Sequence, residues 1–321
     1  MKHFRKINAQ YTQIYILLRF RITEISFIFH IFAVDKKCIN MIKAKKILFI
    51  TQEMTTYVPD SPLSKLGREV AEATQGKNRE IRTFMPKWGI INERRNQLHE
   101  VIRLSGMNLI IDETDHPLII KVASIASTHM QVYFIDNDDY FSKRKMARND
   151  VGEEYADNAE RAVFYARGVL ETVKKLRWTP EVIHCQGWMS SFIPLYIKTA
   201  YADEPSFRDC RVVYTPSDNT MKAPLPQNFA GILQFRNATV SAIQGIPLAD
   251  NMQALNQLGM KFADGVALMR PCPEFREFIR SQGKPYLPPQ KAENYGTAYP
   301  SFYDKIWSIG KGDESESESE D

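Results

Sequence analysis

The chain has 321 residues, 44% of them apolar and 11% aromatic, with 42 basic and 38 acidic side chains for a net charge of +4. That length and apolar content suit one large folded domain or two modest ones and exclude a disordered or fibrous chain. The charge over 41–312 is too mild and too evenly spread for nucleic acid to be the main partner.

Residues 1–40 hold seven Lys/Arg against two Asp/Glu and include the apolar run from Ile14 to Val34. Arg19, Arg21 and Glu24 interrupt that run, leaving too short a clean stretch for the roughly 20 residues a membrane helix needs, so no transmembrane segment is expected. Ala33-Val34-Asp35-Lys36 is a poor secretory cleavage site. Residues 1–40 are therefore expected to lie outside the fold, through an early start codon, with a peripheral membrane anchor as the minor alternative. Cys38, Cys185, Cys210 and Cys272 form no Cys-x-x-Cys pair, so free thiols in a reducing cytoplasm are expected, and neither a metal nor a cofactor.

From Met41 the pattern becomes that of a domain. Lys46 to Thr51 predicts a buried first strand, a loop containing Tyr57, Pro59 and Pro62 follows, and Leu63 to Gln75 predicts a helix ending near Gly76. Arg79 to Met85 predicts a second strand closed by Pro86, completing a βαβ opening. The runs VIRL (101–104), NLIIDE (108–113), PLIIKVAS (117–124) and QVYFID (131–136) predict antiparallel hairpin strands inserted beside a parallel sheet.

Between Asp157 and Leu176 apolar residues recur every three or four positions, predicting a helix with Arg161, Lys174 and Lys175 on its wet side. Asp157 and Glu160 suit a helix cap and a first-turn acid. Val182 to Cys185 is a strand feeding through Gly187 into a helix that runs to Ile197, and Arg211 to Thr215 is a further strand. A loop-rich region with Pro216, Pro224 and Pro226 precedes a helix at Asn251 to Phe262, a strand at Gly265 to Leu268 and a helix at Pro273 to Ser281. The Glu/Ser tail from Lys311 to Asp321 has nothing to bury and is expected to be disordered.

Several of these stretches together resemble the bacterial glycogen synthases and plant starch synthases. The clearest is Gly152 to Lys198, with its D-N-A-E-R helix and strand-turn-helix ending in Trp188; KILFITQEM, VYFIDNDDYF and KFADGVALMRPCPEF follow the family's order. The resemblance implies the N-terminal half of a GT-B fold: a single Rossmann-like, doubly wound α/β domain with a mostly parallel sheet and antiparallel hairpin insertions, over 41–285, with 286–321 a C-terminal extension. It also implies glucose transfer from ADP-glucose to an α-1,4-glucan. The stretch after Gln282 is expected to be too short for the half that, by this resemblance, supplies the family's cationic pair.

The motifs within this half depart from the family pattern. Where the family carries K-T-G-G-L, this chain has Pro59-Asp60-Ser61-Pro62-Leu63, with two amide donors removed and a negative charge added. The family's H-x-H-D-W-H falls on His184-Cys185-Gln186-Gly187-Trp188-Met189, and its T-x-H-N on Thr215-Pro216-Ser217-Asp218.

The substrate-binding candidates are accordingly Tyr57, Asp60, Ser61 and Lys65 in the first loop and helix, Gln186 and Trp188 at one strand end, and Thr215, Ser217 and Asp218 at another. No residue is assigned a catalytic role. For Gln186 a sugar contact and a helix-capping amide stand level; for Trp188 packing is the plainer role, and for His184 a satisfied core histidine. The expectation is a glycogen/starch synthase-like glucosyltransferase domain, weak or inactive alone. The alternative is a non-catalytic glucan-binding or protein-interaction module, its cleft face covered by a partner or a second copy.

Overall fold

The computed structural model describes residues 43–217, 223–239, 241 and 251–309. The 1–40 extension, Cys38, Asp218 and the acidic tail lie outside them. The strands are β1 (Lys46–Thr51), β2 (Glu80–Pro86), β3 (His99–Glu100), β4 (Met107–Ile111), β5 (Thr114–Ile125), β6 (Met130–Asp136), β7 (Val182–Gln186), β8 (Arg211–Thr215), β9 (Gly265–Ala267) and β10 (Tyr286–Leu287). They form one sheet in the order β10-β9-β8-β7-β1-β2-β6-β5-β3, with β4 on β5.

Pairing is parallel from β10 to β6, and antiparallel where β3, β4 and β6 meet β5. The mostly parallel α/β sheet with hairpin insertions is thus the observed architecture.

The helices are α1 (Pro62–Gln75), α2 (Asn158–Leu176), α3 (Phe192–Lys198), α4 (Phe229–Leu233), α5 (Asn251–Phe262), α6 (Pro273–Ser281) and α7 (Tyr295–Trp307). β1 leads through α1 to β2 on one side, whereas β6 leads through α2 back across the sheet to β7. Right-handed crossovers in opposite directions place α1 and α2 on opposite faces. The order in which strands are added reverses between β1 and β7, and that is where an open α/β sheet forms its ligand crevice. Register aligns the strand ends there, with Thr51 opposite Gln186 and Gln186 opposite Thr215.

α1 begins sharply because Ser61 and Ser64 cap each other reciprocally and Pro62 occupies the first turn, where no amide donor is needed. Gly67 lets this helix approach the end of β1, since a Cβ there would lie 2.5 Å from the Glu53 carbonyl oxygen.

Four expectations need correcting. The VIRL run is not a strand: Leu104 N–H donates to the Val101 carbonyl in a tight turn, and the short strand that pairs with β5 is His99–Glu100, just ahead of the run. Arg161 is not on a wet face but fully buried. The loop before α2 folds over the helix, and the guanidinium donates to the carbonyls of Tyr140 (2.8 Å), Met146 (2.7 Å) and Lys145 (3.0 Å). A planar fork of donors can satisfy three loop carbonyls at once. Asp157 occupies the cap position of α2, but its carboxylate pairs with Arg144 (2.5 Å) instead of capping.

The fourth correction concerns the C-terminal boundary at 285. α7, which lies beyond it, belongs to the core. Tyr299, Phe302, Tyr303 and Ile306 are buried against α1 and the strands β7 and β8. Asp304 accepts from the Ala44 amide (2.8 Å) and takes a two-pronged ion pair from Arg79 at 2.8 Å to each oxygen.

Candidate functional site

The crevice between β1 and β7 is built from the residues that leave the two strands, Gln52 and Glu53 on one side and Gly187 with Trp188 and Met189 on the other. It is closed. Gly187 sits at φ 84°, and a Cβ there would fall 2.4 Å from Gln52 Oε1. Gln52 is 2% exposed; its side-chain oxygen accepts from the Met189 amide (3.2 Å) and its nitrogen donates to Glu53 Oε1 (3.0 Å). The amide of Gln52 is therefore wedged into the place where an open α/β sheet receives a ligand.

Glu53 is also buried, and its second oxygen accepts from Ser61 Oγ at 2.6 Å. Ser61 accepts in turn from the Ser64 amide (2.9 Å), so its hydroxyl is spent on the turn and the helix start. Lys65, the cation anticipated in this loop, lies on the surface in an exposed pair with Asp60 at 3.3 Å. Tyr57 is a core residue, edge-on to Phe134 with ring centroids 4.9 Å apart, and burial pushes its phenol up to about 12.

Beneath the crevice runs a buried chain of hydrogen bonds. Gln186, fully buried, places Nε2 3.3 Å from His184 Nδ1, which also meets the Tyr303 hydroxyl at 2.8 Å. An amide nitrogen can only donate, so His184 Nδ1 accepts and Nε2–H donates to Thr215 Oγ1 at 2.8 Å. Burial lowers the imidazole to about 3, which keeps it neutral. Gln186 therefore faces the core histidine and neither the solvent nor the next helix, and its Oε1 is left without a protein partner.

Trp188 is 2% exposed and packs with its turn against α2, so it offers no ring to a sugar. Ser217 is tied by backbone bonds to Asn256 (3.1 and 2.9 Å), and its buried hydroxyl is unpartnered. The structure thus buries Gln186 and Thr215 around His184 and Ser217 beside Asn256, ties Ser61 to Glu53, and leaves Tyr57 and Trp188 in the core and Asp60 and Lys65 in water. Gln52 and Glu53 were the missed members. The signal for them was their place directly after the first strand, in the quoted KILFITQEM.

Strand order, reversal point and covering helices define an open, doubly wound α/β domain of Rossmann type. Residues 46–271 match the family model described as the starch synthase catalytic domain, and the chain belongs to that family. The glycogen synthase of Pelodictyon phaeoclathratiforme is 37% identical over 172 residues, 53% of this chain and 35% of the relative. That of Chlorobium luteolum is 36% identical over 183 residues, 56% and 37% respectively.

The chain thus spans little more than a third of the length of these relatives. Among solved structures, the catalytic domain of starch synthase IV from Arabidopsis thaliana, bound to ADP and acarbose, superposes with a TM-score of 0.62 at 16% identity. The match covers 77% of this chain and 52% of that one. Among the described residues no helix is long and apolar enough to cross a membrane.

Proposed function

We propose that this chain is a glycogen/starch synthase-type glucosyltransferase domain that transfers glucose from ADP-glucose to an α-1,4-glucan weakly or not at all by itself. The observation that carries the reading is the filled crevice: the Gln52 amide occupies the β1–β7 reversal point and the buried Glu53 carboxylate lies beside it. Glucosyl transfer develops negative charge on a leaving diphosphate, and donors or cations aimed at that charge are what lower the barrier. A carboxylate held there by Ser61 and Gln52 does the opposite.

A non-catalytic role, as a glucan-binding or protein-interaction module in a reducing cytoplasm, is favoured by the same closure. Purified chain incubated with radiolabelled ADP-glucose and glycogen tests the reading. Label incorporation is expected to stay at background, and calorimetry is expected to find no micromolar ADP-glucose site. Unaided elongation of maltooligosaccharides would refute it.

A further inference from the structure

A cleft of about 590 Å³ that shares no lining residue with the β1–β7 crevice opens between the β4–β5 hairpin turn, the middle of α2 and the segment that follows α4. Its size is that of a small-molecule site. Arg167 forms its floor and is 7% exposed. Its Nη1 donates to the Ile110 carbonyl, while Nε finds no partner. No carboxylate forms an ion pair with it among the described residues, for Glu171 is engaged by Lys174 (3.1 Å) and Tyr201 (2.7 Å).

Arg167 stacks over the Phe235 ring at 3.9 Å, and Arg236 stacks on the same ring at 5.1 Å. Arg236 also stacks on Tyr201 at 5.5 Å, and among the described residues its hydrogen bond is to the Ala200 carbonyl, at 3.5 Å. Two guanidiniums thus stack on one aromatic ring, and among the described residues neither has a carboxylate in an ion pair. A largely buried cation in that position is costly, and burial accordingly lowers the pKa of Arg167. An incoming anion would relieve that cost.

The opposite wall is acidic. Asp112 and Glu113 form the hairpin turn, both at positive φ, and Asn228 ties Asp112 to α4 at 2.6 Å. Gln234 adds an amide. Carboxylates and amides are the usual partners of sugar hydroxyls, and two carboxylates repel any ligand that is anionic along its whole length. The ligand that satisfies both walls has one anionic end and a neutral, polyhydroxylated body.

We propose that this cleft binds a sugar phosphate, with the phosphate on Arg167 and Arg236 and the sugar hydroxyls on Asp112, Glu113 and Gln234. The proposal does not rest on the transferase reading, because it concerns other residues and is measured as binding. The test is calorimetry on the full chain with glucose 1-phosphate, inorganic phosphate and maltotriose at one ionic strength.

Glucose 1-phosphate is expected to bind at least tenfold more tightly than either other probe. R236Q, an exposed change that leaves the melting temperature without ligand unaltered, is expected to weaken it tenfold or more, and E113Q to weaken it severalfold. No binding of glucose 1-phosphate would overturn the proposal, and so would equal affinity for maltotriose or an affinity unmoved by R236Q. R167Q, if it folds, should abolish binding, and retained binding in a folded R167Q would also overturn it.

Discussion

Replacing Gly187 with alanine tests the closed crevice directly. At φ 84° and ψ 167° the backbone lies in a region open essentially to glycine alone, so the side chain costs about 1–3 kcal/mol in strain before any contact is counted. The new Cβ would also fall 2.4–2.8 Å from Oε1, Cδ and Cγ of Gln52. The Gln52 amide would have to move, and the Met189 amide that it accepts from at 3.2 Å would lose its partner inside the protein. An unsatisfied buried donor costs about 1–3 kcal/mol. G187A should therefore destabilise the chain by about 4 kcal/mol.

In a Q52A background the obstructing amide is absent and the Met189 donor is already unpaired, so the same change should cost only the strain, about 2 kcal/mol. Urea unfolding followed by tryptophan fluorescence measures both steps of this cycle, for the chain has four tryptophans. Equal costs in the two backgrounds would refute the wedge, because Gln52 would then not occupy the space beside Gly187.

Acid should destabilise the fold through His184. Its folded pKa is held near 3 against about 6.5 when unfolded, so between those values the unfolded chain binds the extra proton and stability falls as pH falls. The slope from this group approaches 1.4 kcal/mol per pH unit, and H184Q should flatten the pH–stability curve by that amount between about pH 6 and 4. D304N should leave Arg79 buried beside half its partner and cost about 3 kcal/mol in chemical denaturation, whereas the paired replacement R79M/D304L should cost far less. K65A should change the unfolding free energy by no more than the ~0.5 kcal/mol of an exposed ion pair in urea denaturation, and a larger loss would mean that Lys65 does more than pair with Asp60 in water.

Much of the architecture was legible from local pattern. The apolar run at Lys46–Thr51, the three-and-four spacing through α2 and the Gly187 break each carry their information within a few residues, and the structure places a strand, a helix and a turn there. The stretches resembling the family could be followed in the same way, and the family match spans 46–271.

Arg161 shows where that reach ends. Helix periodicity assigns it to the solvent, but a loop contributed from 137–157 covers it, and no spacing within α2 announces that cover. α7 was missed for a related cause: its burial depends on Tyr303 meeting His184 and Asp304 meeting Arg79 and Ala44, contacts that join distant parts of the chain.

The candidate site divides along the same line. Sequence alone determined which groups stand at the strand ends: Gln186 and Trp188 after one, and Asp60 between two prolines in the loop after another. Only the tertiary structure decided what those groups do. Whether a side chain at a strand end faces a ligand or fills the crevice depends on what packs across from it. Here Gln52 and Glu53 close the gap, Gln186 turns to a neutral histidine, and Lys65 is left in water.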